Sequence, residues 1–416
     1  MMHTSPLNDY DLPKIRAQFP ILSRKLHNER NGGVDLVYLD NAASAQKPLA
    51  VLERIDHLYR HDYANVHRGL HSLSEAATDA YEHARQTLAD FLGAPRAQDI
   101  IWTRNGSEAI NLVASSFGER MHSGDNVIIS GAEHHSNIVP WQILSERRGV
   151  EIRPIPIDDD GHIELDQLES LCDQKTRLIA ITHISNALGM RTDIETATAF
   201  AQSRKVPILI DGCQGAVHED VNLKDMGCDF YIITGHKLYG PSGIGALWAK
   251  QEHLESMPPY QSGGEMIRSV SLTGSTFAPP PAKFEAGTPP IAQAIGLGAA
   301  LDYINAVGRK NIHAHERALT VYAAKKLREL EGIRLIGRDH SHGIVSFCLD
   351  DIHPHDVATF LDHQGVAIRA GHHCAEPVMQ RFGLPGTVRA SLAMYNSQQD
   401  IDTLIVALTE TRKFFA

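Results

Sequence analysis

"PILIDGCQGAVH", residues 207–218, runs four apolar residues together and stops them with an aspartate and a glycine. "DFYIITGHKLYGPSGIG", residues 229–245, does the same and places Lys237 just past the end of its apolar run. Short β-branched runs bounded by Gly and Asp read as strands. Apolar residues at consecutive positions mean burial on both faces, as in a parallel sheet. Working outward, "VDLVYLD" (34–40), "DIIWT" (99–103), "NVIIS" (126–130), "EIRPIPI" (151–157) and "RLIAITHIS" (177–185) are runs of the same kind. Helical spacing fills several of the gaps. "LSEAATDAYEHARQTLADFLGA" (73–94) ends in a capping Gly, "DIETATAFAQSRK" spans 193–205, and further helices are expected from about 106 and around 138–148. This alternation predicts an α/β fold: a mostly parallel sheet covered by helices on both faces, in a large domain over 31–297.

After a long helical region, about 291–332, the order changes. "GIVSFCL", "PHDVATFLDHQG", "VAIRAG", "TVRASLAMYN" and a final helix from about 397 read as a smaller α+β domain over 298–416. Residues 1–30 are expected to pack with it. The Pro-, Gly- and Ser-rich stretch 259–290 reads as a long loop of the kind that serves function or covers an interface.

Bulk properties narrow the function. The 416 residues are enough for two cores, and 43% hydrophobic with 21% charged residues describes a globular chain. A net charge of −11 argues against nucleic acid and anionic membrane as main partners. No 18-residue apolar run is present, and the N-terminus lacks the charged and apolar regions of a secretory signal. Five scattered cysteines with no C-x-x-C pair fit reduced thiols in a cytoplasm. Most of the 24 histidines are expected at the surface, and "HPHD" (353–356) and "DHSH" (339–342) read as surface loops; no metal site is expected.

In an open α/β sheet, ligands bind beyond the carboxyl ends of the strands. Asp211, with Cys213 and Gln214 behind it, stands at one such end, and Lys237 at another. "RNGSEAIN" follows "DIIWT" and opens a helix whose free N–H groups and hydroxyl suit an anion. "GAEHHSN" and Asn186 follow two more strands. Singly, an Asp after a strand is a turn cap and a His-Lys pair is surface. Together they offer a phosphate cup, an amine for a Schiff base and a counter-ion for a pyridinium, which is what pyridoxal phosphate requires.

"RAGHHCAEP", residues 369–377, leaves more than one reading. Cys374 behind two histidines could be a zinc ligand, a buried filler or a nucleophile with a lowered thiol pKa. On an extended segment, three consecutive side chains point to alternate faces and chelate one metal poorly.

Taken together and in order, "LDNAASAQKP" (39–48), "EHHSNIVPW" (133–141), "DGCQGAVH" (211–218), "TGHKLYGPSGIGAL" (234–247), "FEAGTP" (284–289), "RAGHHCAEP" and "RASLAMYN" (389–396) resemble the group II cysteine desulfurases of the sulfur-mobilisation (SUF) type. These belong to the class V aminotransferase family of fold-type I pyridoxal-phosphate enzymes. The resemblance spans nearly the whole chain and implies a seven-stranded sheet in the large domain. It also implies that Lys237 holds the cofactor, Asp211 pairs with its ring nitrogen and Gln214 bonds its phenolate oxygen. His134 would stack on the ring and assist proton transfer, with His135 structural beside it. Ser107, Thr234, His236 and the backbone at Gly106 would hold the phosphate. Thr288 would reach the phosphate of the other subunit, which implies a homodimer. Asn186, Arg389 and Arg369 would bind substrate, and Cys374 would take sulfur from L-cysteine as a persulfide, releasing L-alanine. L-selenocysteine is an alternative substrate, and selenocysteine lyase and cysteine sulfinate desulfinase are alternative activities. The implied partner is a SufE- or SufU-like sulfur acceptor of the SUF system, serving iron–sulfur cluster assembly in the cytoplasm. Two departures stand out: "NGSEA" (105–109) where relatives often carry "GTTEG", and Ala370 where they carry Thr.

Overall fold

The computed structural model describes residues 10–27, 32–338 and 342–415. Seven strands form its central sheet: β1 (Ile100–Thr103), β2 (Asn126–Ser130), β3 (Glu151–Ile155), β4 (Thr176–Thr182), β5 (Ile208–Asp211), β6 (Phe230–Thr234) and β7 (Gly245–Ala249). Their order is β1-β7-β6-β5-β4-β2-β3. β7 runs antiparallel to both its neighbours and every other pair is parallel. The continuous apolar runs have the expected cause. Ile208 and Ile210 enter one hydrophobic core, while Leu209 between them enters the core on the opposite face. Only the edge strand β3 carries a proline within it, Pro154, which an interior strand would tolerate poorly.

Ser72–Leu92 is helical and ends at Gly93 with φ +60°, the left-handed cap that the sequence announces. The helical region after 291 is two helices, Ile291–Val307 and Arg309–Arg328, because Gly308 at φ +94° interrupts it. The expected loop 259–290 instead contains an exposed β-hairpin, Ile267–Ser271 with Gly274–Phe277. Apart from half-buried Ile267, its strands face solvent, so they lack the apolar alternation by which a strand is recognised.

The second sheet is antiparallel, β8 (Ile333–Ile336), β9 (Ile344–Leu349), β10 (Arg369–Gly371) and β11 (Thr387–Ser391), in the order β8-β9-β11-β10. Val357 and Leu361 of one helix and Leu404 and Leu408 of the last helix bury against it. The division expected at 297/298 is crossed by the chain. Val37–Tyr38 pairs in parallel with Val366–Ala367, and Val37 and Leu39 lie in the core of the second sheet. Of the first 30 residues, the described ones touch both parts: the Phe19 ring meets those of Tyr239 and Tyr395 at tilted angles, and Arg16 bonds Asp400 at 3.0 Å. Residues 1–9 and 28–30 lie outside the described residues, as does most of "DHSH". "HPHD" opens the helix Pro354–His363, where His353 accepts a bond from the His355 N–H. Among the described residues, no helix is long and apolar enough to cross a membrane.

Candidate active site

A cavity of about 220 Å³ lies beyond the carboxyl ends of β1, β4, β5 and β6, and the second sheet closes its other side. Asp211 is the last residue of β5 and lies buried; its Oδ1 accepts the Cys213 N–H at 3.0 Å. Gln214 donates to the Ala42 carbonyl at 2.9 Å, which fixes the "LDNAAS" segment as part of the wall. Thr234 ends β6, and His236 and Lys237 follow in a single 3-10 turn. The Lys237 side chain is half-buried and lines the cavity, and desolvation lowers its ammonium pKa. Burial and the neighbouring Lys237 bring His134 down to about 4; burial does the same to His236. Both rings are therefore neutral at pH 7. His134 Nδ1 accepts the Ser136 N–H at 3.0 Å, so its proton sits on Nε2.

On the β1 side, the helix Gly106–Ser116 begins at the cavity with Asn105 capping the Glu108 N–H at 2.9 Å. Ser107 and Ser136 present their hydroxyls 2.5 Å apart. A Cβ at Gly106 would lie 2.6 Å from Cys213 Sγ, so a larger residue there would require the Cys213 side chain to move. That is a physical reason for the glycine in "NGSEA". Cys213 is half-buried, its thiol pKa is raised by desolvation, and it lines the cavity.

From the second sheet come two arginines. Arg389, on β11, is 2% exposed and donates from Nη1 to the Asn186 carbonyl at 2.8 Å. Its Nη2 reaches Asp40 at 3.3 Å, and its Nε is buried without a protein partner. Burial lowers the guanidinium to about 10, still cationic at neutral pH. Arg369, on β10, grips the same Asp40 through two nitrogens, at 3.0 Å each. Asn186 donates to the His373 carbonyl at 2.6 Å.

Cys374 stands exposed at this cavity, and here the extended conformation expected from the sequence does not hold. β10 ends at Gly371, and His373 and Cys374 both adopt left-handed backbone, φ +54° and +56°. Tertiary bonds hold this otherwise unfavourable turn. The carbonyls of His373 and Cys374 are taken by Asn186 and by the His135 N–H, the latter at 2.7 Å. His373 is turned inward, bonded to Thr387 at 2.8 Å, and burial lowers its pKa to about 3. His135 accepts the Glu376 N–H at 3.1 Å, so it supports the turn that carries the thiol.

Thus Cys374, Lys237, His134, Asp211, Gln214, Gly106, Ser107, Thr234, His236, Asn186, Arg369 and Arg389 meet in one cavity. Thr288 does not: it is exposed and lines a separate hollow with Tyr260 and Glu285. Three contributors escape the sequence reading. Ser136 hides inside "EHHSN". Asp40 gathers both arginines. Glu133, fully buried, accepts from Ser130, from Asn137 Nδ2 at 2.7 Å and from the Thr182 N–H at 2.7 Å, tying β2 and β4 together beneath His134.

The chain belongs to the aminotransferase class-V family, which matches residues 37–404. A cysteine desulfurase of Dickeya dadantii (strain 3937) is 49% identical over 405 residues, covering 97% of each chain. One of Cronobacter sakazakii is 47% identical over 96% of this chain and 98% of its own. The crystal structure of the cysteine desulfurase CsdA of Escherichia coli, in its S-sulfonic acid form, superposes with a TM-score of 0.90. It is 37% identical and covers 98% of this chain and 100% of that one. Within the family, this chain is a pyridoxal-phosphate-dependent cysteine desulfurase acting on L-cysteine.

The cavity suits that cofactor. Thr234 Oγ1 is buried with no protein partner, and it faces the same space as the Ser107 hydroxyl and the N-terminus of an eleven-residue helix. That set could take up phosphate oxygens. Across the cavity, Asp211 could neutralise a protonated ring nitrogen, and Lys237 offers an amine whose neutral form desolvation favours. Bound there, pyridoxal phosphate supplies an electron sink for carbanion chemistry at the substrate amino acid.

Proposed function

We propose that the chain is a group II, SUF-type cysteine desulfurase that works as a cytoplasmic homodimer, moves the sulfur of L-cysteine onto Cys374 and releases L-alanine. The persulfide then passes to a SufE- or SufU-like acceptor for iron–sulfur cluster assembly. The observation that carries this reading is the position of Cys374, an exposed thiol on a braced left-handed turn at the cavity that holds Lys237, His134 and Arg389.

The residues divide the work by place. Arg389, with a buried N–H to spare, and Asn186 bind the substrate carboxylate and set the amino acid in register. His134, neutral with its proton on Nε2, would stack on a bound cofactor ring and assist proton transfer. Lys237 would hold the cofactor, and its amine could carry a proton at the substrate α-carbon. Cys374 Sγ attacks the substrate sulfur. An S–S bond forms, the carbon–sulfur bond breaks with its electron pair on carbon, and that carbon takes a proton to complete alanine. Arg369 lines the cavity together with the thiol. Thr288 completes the phosphate site of the second subunit.

The test is a substrate panel of L-cysteine, L-selenocysteine and L-cysteine sulfinate, with and without candidate acceptor proteins, scored for alanine and for released sulfide separately. Turnover of L-cysteine that rises with an acceptor supports the reading. Efficient turnover of selenocysteine or the sulfinate alone, with no gain from any acceptor, would replace it with a lyase or desulfinase.

A further inference from the structure

Glu316 lies outside the cavity, on the helix Arg309–Arg328, and is 2% exposed. Its two oxygens are spent on two different segments. Oε2 pairs with His218 Nδ1 at 2.9 Å, and Oε1 accepts the Tyr239 hydroxyl at 3.2 Å. His218 is the last residue of the short helix Gly215–His218, which follows directly on Asp211 and Gln214. Tyr239 lies two residues after Lys237 and is left-handed, at φ +59°. A left-handed tyrosine persists only where its surroundings fix it. The same Tyr239 hydroxyl accepts the Met394 N–H at 3.1 Å, from the loop that leaves β11 after Arg389. Glu316 is itself anchored: Thr320 bonds its carbonyl at 2.6 Å and also accepts the Gly343 N–H, just before β9.

One buried carboxylate therefore joins, through two side chains, the segments that carry Asp211, Lys237 and Arg389. We infer that Glu316 is a positioning residue for the reaction, fixing the cofactor anchor, its counter-ion and the substrate-binding arginine relative to one another. The inference rests on the roles proposed above for Lys237, Asp211 and Arg389. Glu316 touches neither cofactor nor substrate and acts only through His218 and Tyr239. The physical case is that these three groups sit on separate segments and must agree in position to well under an ångström. A polar network satisfied at both ends is stiffer than apolar packing alone.

The experiment compares Glu316→Gln and Tyr239→Phe with Leu319→Ala, a buried apolar change on the same helix that removes none of these hydrogen bonds. Each cofactor-loaded protein is measured for kcat, KM, thermal midpoint and the visible circular-dichroism band of the bound cofactor, which reports its orientation. Glu316→Gln and Tyr239→Phe should lower kcat by between about 10- and 100-fold, the scale of an ångström misplacement. They should also weaken the dichroic band. Leu319→Ala should lower the thermal midpoint and leave kcat and the band unchanged. Wild-type kcat and band in Glu316→Gln would overturn the inference. If Glu316→Gln does not fold, the same result in Tyr239→Phe overturns it. Loss of the band in Leu319→Ala would also overturn it, since any destabilisation would then suffice. A Lys237→Ala protein that keeps covalently bound cofactor would instead show that the underlying reading is wrong.

Discussion

Replacing Arg389 with Lys should separate substrate binding from chemistry. Arg389 spends Nη1 on the Asn186 carbonyl and part of Nη2 on Asp40, leaving the buried Nε for an incoming carboxylate. A lysine keeps a charge but loses the planar fork. A charge-assisted hydrogen bond is worth about 1.5–3 kcal/mol, or about 10- to 150-fold in affinity. KM for L-cysteine should rise by that factor, while kcat stays within about threefold because the reacting sulfur and Cys374 are untouched. Desolvation adds a pH signature. Burial brings the guanidinium down to about 10, so it stays charged throughout the working range. Acting on an ammonium of ordinary pKa about 10.4, the same desolvation favours loss of the proton as pH rises. The variant's KM should therefore climb between about pH 7 and pH 9, where the wild type keeps most of its charge at this position. The assay is steady-state alanine release across that range. A KM within about twofold of wild type, flat with pH, would show that the carboxylate does not bind at Arg389.

Lys237→Ala should lose covalent cofactor and turnover together, and borohydride reduction of the wild type should fix the cofactor on a peptide containing Lys237; a label on another lysine would refute the assignment. Sedimentation at assay concentration should show a dimer, and Thr288→Ala should weaken cofactor retention; an active monomer would remove Thr288 from the site. Glu285→Gln should lower folding stability by about 3–5 kcal/mol, because Glu285 bonds buried Arg85 through both oxygens, at 2.7 and 3.0 Å, and also accepts the Trp102 N–H. A urea-unfolding loss below about 1 kcal/mol would mean that the pair is solvated rather than buried.

Asp211 and Lys237 are legible in the sequence because a buried parallel strand is a continuous apolar run and its end is marked by the residue that breaks it. Knowing that ligands bind at such ends places them in one cavity without any structure. Asn186, His134 and the Gly106–Ser107 turn follow by the same logic, and Cys374 and Arg389 through the family motifs. What escapes depends on contacts between distant segments. Asp40 ends an ordinary apolar run, and nothing local shows that Arg369 and Arg389 converge on it. Glu133 and Glu316 resemble any other glutamate until burial and their bonds are seen. The turn at His373 and Cys374 is misjudged as extended for the same reason: local propensity opposes left-handed backbone there, and Asn186 and the His135 N–H override it. The exposed hairpin over Ile267–Phe277 carries no apolar alternation to reveal it.

Sulfur transfer to Cys374 is the step on which the proposed function turns. The direct measurement is a single turnover with L-cysteine, followed by alkylation and peptide mapping, on wild type and Cys374→Ser side by side. The wild type should carry persulfide on the peptide spanning 369–377 and release one alanine for each one formed. The Ser variant should bind L-cysteine and retain cofactor, yet form almost no alanine, because a hydroxyl supplies negligible anion at neutral pH and attacks sulfur poorly. Persulfide found on Cys213 or Cys348 instead, or alanine formed by the Ser variant at the wild-type rate, would contradict it.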